Sequence, residues 1–479
     1  MSTNKELPEE KCTEITTFTT AVNKENCVYV NIEHKNIFLR QLWGFSVCLI
    51  LNIIAGTVSG YSAILLPQLD NKNSTIVATA TPSQQSWIAS MAPLSMALGC
   101  IISGWSMEYF GRKKTLRLCT IIFFIGWILI YLSKTISSLL VGRLITGFSV
   151  GYLGPTGSCY ISEISTPKYR GFFLAGISLG IAAGLLVAHL LGTFLDWRTV
   201  ALIICAGPII VFFIMIPVPE SHVWLLSKGK FREARLALEW YSDRDAIIII
   251  DEYEQQTKRT HKKWSCKIFT QKDFIKPVMI MNLFFVTAQF SGNNVVVFYS
   301  VGVMQKTVPT LNEYASMLII DGIRFVMSVI ACILTRRYKT RVLTFVSAAG
   351  TIASLFLLAT FVYLSDLYPT NTWFTTVPLA FFISYIVFMS IGIVPLPWSL
   401  SGELLPPQNK GVGGGISTAL NFIAFFVAIK TGPDLFAQFG TAGTFTIYAT
   451  ITSIFSMILY MVLPETKNKT LEEIQSSFK

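Results

Sequence analysis

Three uncharged polar side chains interrupt one of the most apolar stretches of this sequence. Gln289, Ser291 and Asn294 fall close together in the run 277–304. Amide and hydroxyl groups donate and accept hydrogen bonds without carrying charge. The chain shows no nucleophile–base constellation, no phosphate-binding loop and no metal-ligand spacing, so we expect no enzyme, no cofactor and no metal. The chemistry that these residues offer is hydrogen bonding rather than catalysis.

Charged side chains are rare in the apolar runs, and two of them stand close together. Asp321 and Arg324 lie three residues apart in the run 314–335, so one helical face carries both. A buried charge is costly in a membrane and usually has a function. We interpret the two as a static ion pair, with a proton relay as the alternative. His189, another polar residue in an apolar run, is interpreted as a packing or cavity residue.

The composition indicates which elements carry these residues. Of 479 residues, 52% are hydrophobic and only 14% are charged, which argues against a soluble globular protein. A membrane helix needs about 20 apolar residues. Twelve stretches are long enough: 42–66, 85–106, 114–132, 138–160, 171–191, 198–217, 277–304, 314–335, 342–364, 374–402, 410–432 and 441–463. The sequence therefore predicts an all-α polytopic membrane protein with twelve transmembrane helices.

The longest polar gap divides the twelve stretches into two sets of six. We expect a cytosolic N-terminal tail at 1–39, a six-helix bundle at 40–217, a cytosolic helical linker at 218–276, a second six-helix bundle at 277–463 and a cytosolic C-terminal tail at 464–479. In the linker, Phe231, Ala234, Leu238 and Tyr241 recur at helical spacing. This spacing predicts surface helices that cap the bundle.

Basic residues are concentrated in alternate connections between the stretches. The connections two–three, four–five and eight–nine hold Arg112, Lys113, Lys114, Arg117, Lys168, Arg170, Arg336, Arg337, Lys339 and Arg341. By the positive-inside rule, both termini are then cytoplasmic. The net charge of +11 is a topology signal on this interpretation, and we expect no nucleic-acid partner.

The first outside loop carries an acceptor sequence for N-glycosylation, Asn73-Ser74-Thr75. We expect Asn73 to carry a glycan and the protein to lie in the cell membrane. The nine cysteines fall in apolar runs or cytosolic segments, so we predict no disulfide framework.

Two local patterns occur once in each half of the chain. Segment 163–171 carries an acid, a proline, a base and a glycine in the same register as segment 403–411. Pro219-Glu220-Ser221 follows the sixth stretch, as Pro464-Glu465-Thr466 follows the twelfth. Two pseudo-equivalent halves of six helices are the architecture of a transporter that rocks around a central site.

The motifs resemble those of the sugar porters of the major facilitator superfamily over nearly the whole chain. They are Gly104-Trp-Ser-Met-Glu108-Tyr-Phe-Gly111-Arg112-Lys113, Gly142-Arg143 with Gly147 and Gly151, Pro219-Glu220-Ser221, Gln289-Phe-Ser291-Gly292-Asn-Asn294, Pro395-Leu-Pro397-Trp398 with Glu403, and Pro464-Glu465-Thr466. Glu108-Tyr109, with Ser390 where many hexose carriers have a carboxylate, is most similar to the insect facilitated trehalose and hexose transporters. The resemblance implies the major facilitator fold, a small-molecule sugar as substrate and the lipid bilayer as surroundings. It does not predict an oligomeric state.

The resemblance also implies which residues contact the sugar. The candidates are Gln289, Asn294, Trp398, Ser178, Tyr299 and Asn421. Gln289, Asn294 and Trp398 match sugar-binding positions, whereas Tyr299 matches an outer gate. Ser178 stands where the family has a glutamine, and Ala288 replaces one of its paired glutamines. Amides and aromatic faces suit the hydroxyls and apolar faces of a sugar, although Asn and Gln also serve helix packing in membranes.

Charged residues at the cytoplasmic helix ends are candidates for a latch that pairs when that side is closed. They are Glu108, Arg112, Glu163 and Arg170 in the first half and Arg336, Glu403 and Lys410 in the second. A role in setting topology is the alternative for the bases. We align Thr335 with the family's acid, Tyr338 with its glycine and Lys339 with its arginine. The second latch is therefore expected to be weaker.

A missing acid bears on the mode of transport. Proton-linked relatives carry an aspartate directly after a Gly-Tyr pair on span one, where this chain has Gly60-Tyr61-Ser62. This difference favours facilitated (uniport) transport of a sugar, a hexose or trehalose, by alternating access. A proton-coupled sugar symporter and a non-transporting membrane sugar sensor are the alternatives.

Overall fold

The computed structural model describes residues 37–70, 81–241, 250, 272–299, 313–368, 372–401, 404 and 410–466. These residues form helices and contain no β-strand. The helices are α1 (Ile37–Asp70), α2 (Pro82–Phe110), α3 (Arg112–Leu132), α4 (Ile136–Ile164), α5 (Pro167–Phe194), α6 (Trp197–Ile214), α7 (His222–Ser227), α8 (Phe231–Tyr241), α9 (Lys272–Phe290), α10 (Asn293–Phe298), α11 (Glu313–Arg337), α12 (Thr340–Leu367), α13 (Thr372–Ile391), α14 (Leu396–Ser401) and α15 (Lys410–Val462).

These helices account for the twelve predicted membrane crossings. Ten helical segments within the described residues are long and apolar enough to span a membrane, with α13 and α14 forming one of them. The longest, α15, is divided by Gly440, whose φ of 65° breaks the helix into two crossings. The apolar helix α9 continues through a short turn into α10 and supplies the remaining crossing.

The two ends of the bundle differ in charge. We call the end that carries Arg112, Lys113, Lys114 and Arg117 the basic end, and the opposite end, at which α2 and α6 begin, the far end. Helices at the far end start on side-chain caps, as at Asp196, whose carboxylate accepts from the N–H groups of Arg198 and Thr199. A capped start satisfies donors that the helix leaves free.

Small residues allow pairs of helices in the first half to approach closely. A Cβ at Gly56 of α1 would meet the carbonyl oxygen of Ile181 on α5 at 2.2 Å. A Cβ at Gly151 of α4 would meet the carbonyl oxygen of Met96 on α2 at 1.9 Å. Contacts this close require glycine. Because the hydrophobic effect does not drive helices together in lipid, close van der Waals packing of this kind stabilises their association.

Helices α7 and α8 lie in the predicted linker, much of which is outside the described residues. Of the four residues at helical spacing, Ala234, Leu238 and Tyr241 are buried and Phe231 is exposed. The phenol of Tyr241 lies 2.6 Å from the phenol of Tyr160 on α4. This contact docks α8 against the first bundle.

A glutamate caps one helix in each half in the same way. Glu220 accepts hydrogen bonds from the backbone N–H groups of Arg112 and Lys113 at 2.9 Å. Glu465 accepts from those of Thr340 and Arg341 at 3.0 and 3.2 Å. Burial raises the pKa of Glu220, and the bonds from the backbone oppose this rise. The two Pro-Glu motifs thus start α3 and α12 as equivalent elements.

The equivalent caps correct our alignment of the second-half motif. Gly111 is the N-cap of α3 and Lys339 is the N-cap of α12, so Lys339 corresponds to the glycine and not to the arginine. By the same register, Thr340 corresponds to Arg112 and Arg336 to Glu108. The predicted register was wrong by one residue, because the residues of the second-half motif differ from those of the family. The glutamate cap fixes the position of the helix start.

Removing either capping carboxylate should destabilise the folded bundle. Glu220→Ala and Glu465→Ala each leave two helix-start N–H groups without their acceptor, which costs about 1 kcal/mol per cap. We expect a lower Tm in detergent for both variants than for the unaltered protein.

Glu233→Ala is the matched control, because this exposed glutamate on α8 pairs with Lys230 at 3.2 Å and with no other base among the described residues. Such a pair contributes about 0–1 kcal/mol. Equal Tm values for all three variants would contradict a stabilising role of the caps.

Candidate functional site

A break between α9 and α10 turns the backbone at the centre of the second half. Gly292 has a φ of 85°, which only glycine adopts readily. A Cβ there would also meet the ring of Tyr448 at 2.9 Å. The phenol of Tyr385 donates to the carbonyl oxygen of Ser291 at 2.8 Å and holds the turn. The break places side chains from both α9 and α10 at one point.

Four amide side chains meet at this break in a hydrogen-bonded series. Asn293 Nδ2 donates to Asn294 Oδ1 at 3.4 Å, and Asn294 Nδ2 donates to Gln289 Oε1. Gln289 Nε2 donates to Asn421 Oδ1 on α15 at 2.7 Å. We call these four residues the amide series. Three of the predicted sugar-binding residues, Gln289, Asn294 and Asn421, are thereby brought together.

The two ends of the amide series keep hydrogen-bonding capacity. Asn293 Oδ1 and Asn421 Nδ2 are buried and have no partner among the described residues. A buried polar atom without a partner costs about 1–3 kcal/mol. The series therefore offers one acceptor and one donor to a neutral polar molecule.

Aromatic rings lie on the basic-end side of the amide series. Trp398 on α14 packs edge-on against Phe285 of α9, with ring centroids 5.0 Å apart. Its ring also lies 6.4 Å from that of Phe422, the neighbour of Asn421. Trp398 is 40% exposed despite these contacts. Amides with an adjacent exposed aromatic face are the groups that bind a sugar.

The remaining predicted sugar-binding residues lie elsewhere. Ser178 is half-buried on α5, and no described contact joins it to the amide series. Tyr299 follows α10 toward the far end, where its phenol donates to the carbonyl oxygen of Ile429 at 3.4 Å.

Further contacts close the far end between the halves, and sequence analysis did not identify them. The ammonium group of Lys430 lies 4.3 Å from the ring centroid of Trp87. Ser86 Oγ donates to the carbonyl oxygen of Lys430 at 3.4 Å. Ala63 on α1 packs against Met317 on α11. Lys430 is one of the few basic residues outside the basic end, a signal that could have marked it.

The first-half latch residues are paired within their own half. Arg112 Nη2 lies 2.8 Å from Glu163 Oε1, and both side chains are 12% exposed. Ser221 Oγ donates to the other oxygen of Glu163. The Nε and Nη1 atoms of Arg112 are buried without a partner among the described residues. This geometry leaves two donors of the guanidinium able to bind a further group.

The other first-half latch residues are more exposed. Glu108 lies 3.7 Å from Lys228, with its side chain 71% exposed. Arg170 is exposed and donates to the carbonyl oxygen of Ser165 at 3.4 Å rather than to Glu163. Burial lowers the pKa of nearby His222, and the Glu163 carboxylate opposes this effect.

For the second-half latch, the structure describes only the helices that carry two of its residues. Glu403 lies outside the described residues, as does Asn73, the predicted glycosylation site. Arg336 and Lys410 lie in α11 and at the start of α15, but their side chains are also outside the described part. The predicted pairing of these residues stays a prediction.

A fully buried arginine joins three helices of the first half. Arg143 on α4 donates to the carbonyl oxygen of Val58 at 2.9 Å and to that of Ile88 at 3.4 Å. Its Nη2 donates to Ser62 Oγ at 2.5 Å. Ser62, the residue after the Gly-Tyr pair, therefore faces the guanidinium of Arg143 and accepts its hydrogen bond through a hydroxyl group.

Asp321 is paired differently from our expectation. Its carboxylate contacts His189 Nδ1 on α5, and the described ion pairs do not include one with Arg324. Arg324 is half-buried nearby and feels the charge of Asp321, but its Nε has no hydrogen-bond partner among the described residues. The sequence showed two charges on one helix and could not show that a histidine from the other half meets one of them.

The described residues contain no group of three or more His, Cys, Asp or Glu side chains that could hold a metal ion. The arrangement instead consists of neutral amides, aromatic rings and a few charged side chains inside a membrane-spanning bundle.

Comparison with known proteins agrees with this arrangement. The sequence profile described as "Sugar (and other) transporter" matches residues 40–478. The chain is 32% identical over 438 residues to a facilitated trehalose transporter, Tret1, of Apis mellifera ligustica, covering 89% of this chain and 86% of that protein. It is 30% identical over 459 residues to Tret1 of Bombyx mori, covering 95% and 90% of the two chains.

The fold also matches solved structures. The proton:xylose symporter XylE bound to 6-bromo-6-deoxy-D-glucose aligns with a TM-score of 0.73 at 21% identity, covering 92% of this chain and 99% of that one. A partially occluded inward-open form of XylE from E. coli aligns with a TM-score of 0.74 at 18% identity, covering 90% and 100%. The predicted all-α fold of twelve membrane-crossing helices, the major facilitator fold, is confirmed. The chain is a multi-pass membrane protein that belongs to the sugar transporter family.

Proposed function

We propose that this protein carries a sugar across the membrane by facilitated diffusion, opening a central site alternately to the two sides. The observation that carries this proposal is the amide series beside Trp398, because it offers neutral hydrogen bonds and an aromatic face in the middle of a membrane-spanning bundle. A charged substrate would find no neutralising partner among the residues of such a site, whereas an uncharged sugar needs none.

A hexose or trehalose is the substrate that we propose. The relatives from Apis and Bombyx are named as facilitated trehalose transporters, and their similarity extends over most of this chain. Gln289, Asn294, Asn421 and Trp398 would contact the sugar, and Tyr299 would act as a gate on the far side. Ser178 would face the same passage from the first half.

The orientation that we propose places the basic end and both termini in the cytosol of the cell. The concentration of basic residues at that end supports it. The far end then faces outward in the cell membrane, with Asn73 available for a glycan. Arg112, Glu163, Arg170 and Glu108, with Arg336, Glu403 and Lys410, would hold the basic end closed in the opposite state.

Uniport is favoured over proton-coupled symport by the surroundings of Arg143. Its described acceptors are the Ser62 hydroxyl and backbone carbonyls, and none of them is a carboxylate that could exchange a proton with the substrate site. Symport needs a titratable group that senses both substrate and ion. The described hydrogen bonds of His189 and Asp321 do not include a member of the amide series.

Uptake driven by a proton gradient tests this function. In proteoliposomes that contain the purified protein, labelled glucose and labelled trehalose are measured separately, with and without an imposed proton gradient. We expect at least one sugar to equilibrate across the membrane, with the same final level in both conditions. Accumulation above equilibrium under the gradient would establish symport, and binding without any flux would establish a sensor.

Shortening Gln289 should weaken sugar binding. Gln289→Ala removes the central member of the amide series and leaves the amides of Asn294 and Asn421 without their partner. Loss of one or two hydrogen bonds predicts about a tenfold or greater rise in the half-saturating sugar concentration. The measurement is the concentration dependence of exchange of the transported sugar.

Thr287→Val is the matched control for Gln289→Ala. Its hydroxyl is buried on the same helix and bonds to the carbonyl oxygen of Leu283 at 2.7 Å rather than to the amide series. We expect its half-saturating concentration to stay close to that of the unaltered protein. An unchanged value for Gln289→Ala would exclude the amide series as the site.

Removing the Trp87 ring should shift the far end toward its open state. Trp87→Ala deletes the contact with Lys430, and a cation–π contact of this kind contributes about 0.5–1 kcal/mol. The open-to-closed ratio should rise about two- to fivefold. It is measured from the distance between spin labels at Lys134→Cys and Leu367→Cys, two exposed positions at the far end of the two halves.

The labels are placed in a chain whose nine native cysteines are replaced. Trp105→Ala is the control, because Trp105 lies on the same helix at the basic end and stacks on Tyr109. A shift of the distance distribution in Trp105→Ala as large as that in Trp87→Ala would show that the Trp87 contact does not specifically stabilise the closed far end.

A further inference from the structure

One buried contact between the halves involves two titratable side chains. His189 on α5 belongs to the first half and Asp321 on α11 to the second. His189 Nδ1 contacts Asp321 Oδ2, and His189 Nε2 lies 3.0 Å from the carbonyl oxygen of Gly60 on α1. The side chains are 0% and 4% exposed. The mechanism of sugar carriage described above does not use this contact.

The partners of the imidazole determine how many protons it holds. The carbonyl oxygen of Gly60 only accepts hydrogen bonds, so Nε2 must carry a hydrogen. The contact between Nδ1 and the carboxylate then needs a second hydrogen, on either the nitrogen or the oxygen. A neutral histidine beside an ionised aspartate has one proton too few. The contact therefore holds one extra proton.

The two side chains must separate if the halves part at the far end. They come from opposite halves and lie on the same side of the amide series as Trp87, Lys430 and Tyr299. Once separated and hydrated, a histidine loses its proton above about pH 6.5 and an aspartate above about pH 4. Closing the far end above pH 6.5 must consequently take up a proton from solution.

We propose that His189 and Asp321 form a proton-binding site between the halves, and that the far end of the bundle closes with one proton bound there. This proposal rests on the alternating access proposed above. In the closed state the pair is buried, so the proton can enter and leave only when the halves part at the far end. It returns to the side from which it came, and no proton is carried across.

The surrounding ionisable groups do not supply a competing acid. In the described helices at this contact they are Tyr61 on α1, Arg143 on α4, Arg198 on α6, Tyr314 and Arg324 on α11 and Tyr385 on α13. Tyr61 and Arg143 have their own partners, the carbonyl oxygen of Trp197 and Ser62 respectively. Arg324 acts on Asp321 by its charge. The described contacts thus leave His189 and Asp321 as the pair between which the extra proton is held.

The sign of the pH dependence follows from this count of protons. Below about pH 6 the separated histidine already carries its proton, so closing changes nothing and the open-to-closed ratio is constant. Above about pH 6.5 the ratio of open to closed molecules rises, by up to tenfold for each pH unit. Acid on the far side favours the closed far end, and alkali favours the open one.

The test measures the state of the far end directly. The spin-label pair at Lys134→Cys and Leu367→Cys is used in protein reconstituted into lipid nanodiscs without sugar, at several values between pH 5.5 and 8.5. We expect the long-distance, open population to grow relative to the closed one above about pH 6.5. A ratio that is the same at all these pH values would overturn the proposal.

Two variants and one control identify the group responsible. In Asp321→Asn, the amide donates to Nδ1 while Nε2 still donates to Gly60, so the contact forms without a bound proton. In His189→Gln, a side chain that does not titrate donates to Asp321 and the charge beside Arg324 is kept. Both variants should lose the pH dependence. Thr193→Val, which removes a hydroxyl bonded to the carbonyl oxygen of His189 at 2.9 Å, should retain it.

A pH dependence that persists in both variants would assign it to another group and overturn the proposal. Sugar flux separates this outcome from a failure of the proposed function. If the far end responds to pH as expected while no sugar is exchanged, the proton site stands and the carrier function fails. If sugar is exchanged and the label distances ignore pH, the opposite holds.

Discussion

Polar groups in the hydrocarbon of a membrane must find their partners inside the protein, and this constraint determines where the helices of this bundle are joined. Arg143 binds acceptors on α1 and α2, the amide series connects α9 and α10 to α15, and His189 reaches across to Asp321. Each contact costs little while it is made and much when one partner is missing. The same contacts therefore hold the fold together and provide its candidate functional groups.

The two kinds of contact have different consequences for movement. Arg143 and the Glu220 cap connect elements within one half, so they keep that half rigid while it rotates. His189 and Asp321, with Lys430 and Trp87, connect different halves at the far end and must separate if the passage opens there. The amide series belongs to the second half, which allows it to keep its geometry in both states. The donor and the acceptor that have no partner among the described residues would then remain available to the proposed substrate in both states.

Local sequence patterns sufficed to predict much of this architecture. Twelve apolar stretches of membrane length predicted the number of crossings, because length and composition decide whether a segment can span. The repeated Pro-Glu motif indicated the two equivalent halves, and Glu220 and Glu465 indeed cap equivalent helices. Gln289, Asn294 and Asn421 were candidates from the resemblance to the sugar porters and from their types together, since uncharged amides are unusual in an apolar run.

What the sequence could not show was contact between distant segments. Asp321 was assigned to Arg324 because the two are neighbours on one helix, whereas its partner His189 is 132 positions away. The alignment of the second-half motif was one residue off, because Lys339 and Thr340 are not the residue types that define the motif. The start of α12 is fixed by the Glu465 cap. Phe231 fits the helical spacing of α8 and is nevertheless exposed, since spacing alone does not fix the edge of a buried face.

The central claim is that the amide series lies in a passage that opens alternately to both sides. Counterflow tests it most directly: proteoliposomes loaded with a high concentration of unlabelled sugar are diluted into a trace of the same sugar carrying a label. A carrier that alternates its access exchanges one molecule for the other, so the account predicts a transient accumulation of label inside, reduced in Gln289→Ala and kept in Thr287→Val. Binding of the labelled sugar without this overshoot would contradict the account.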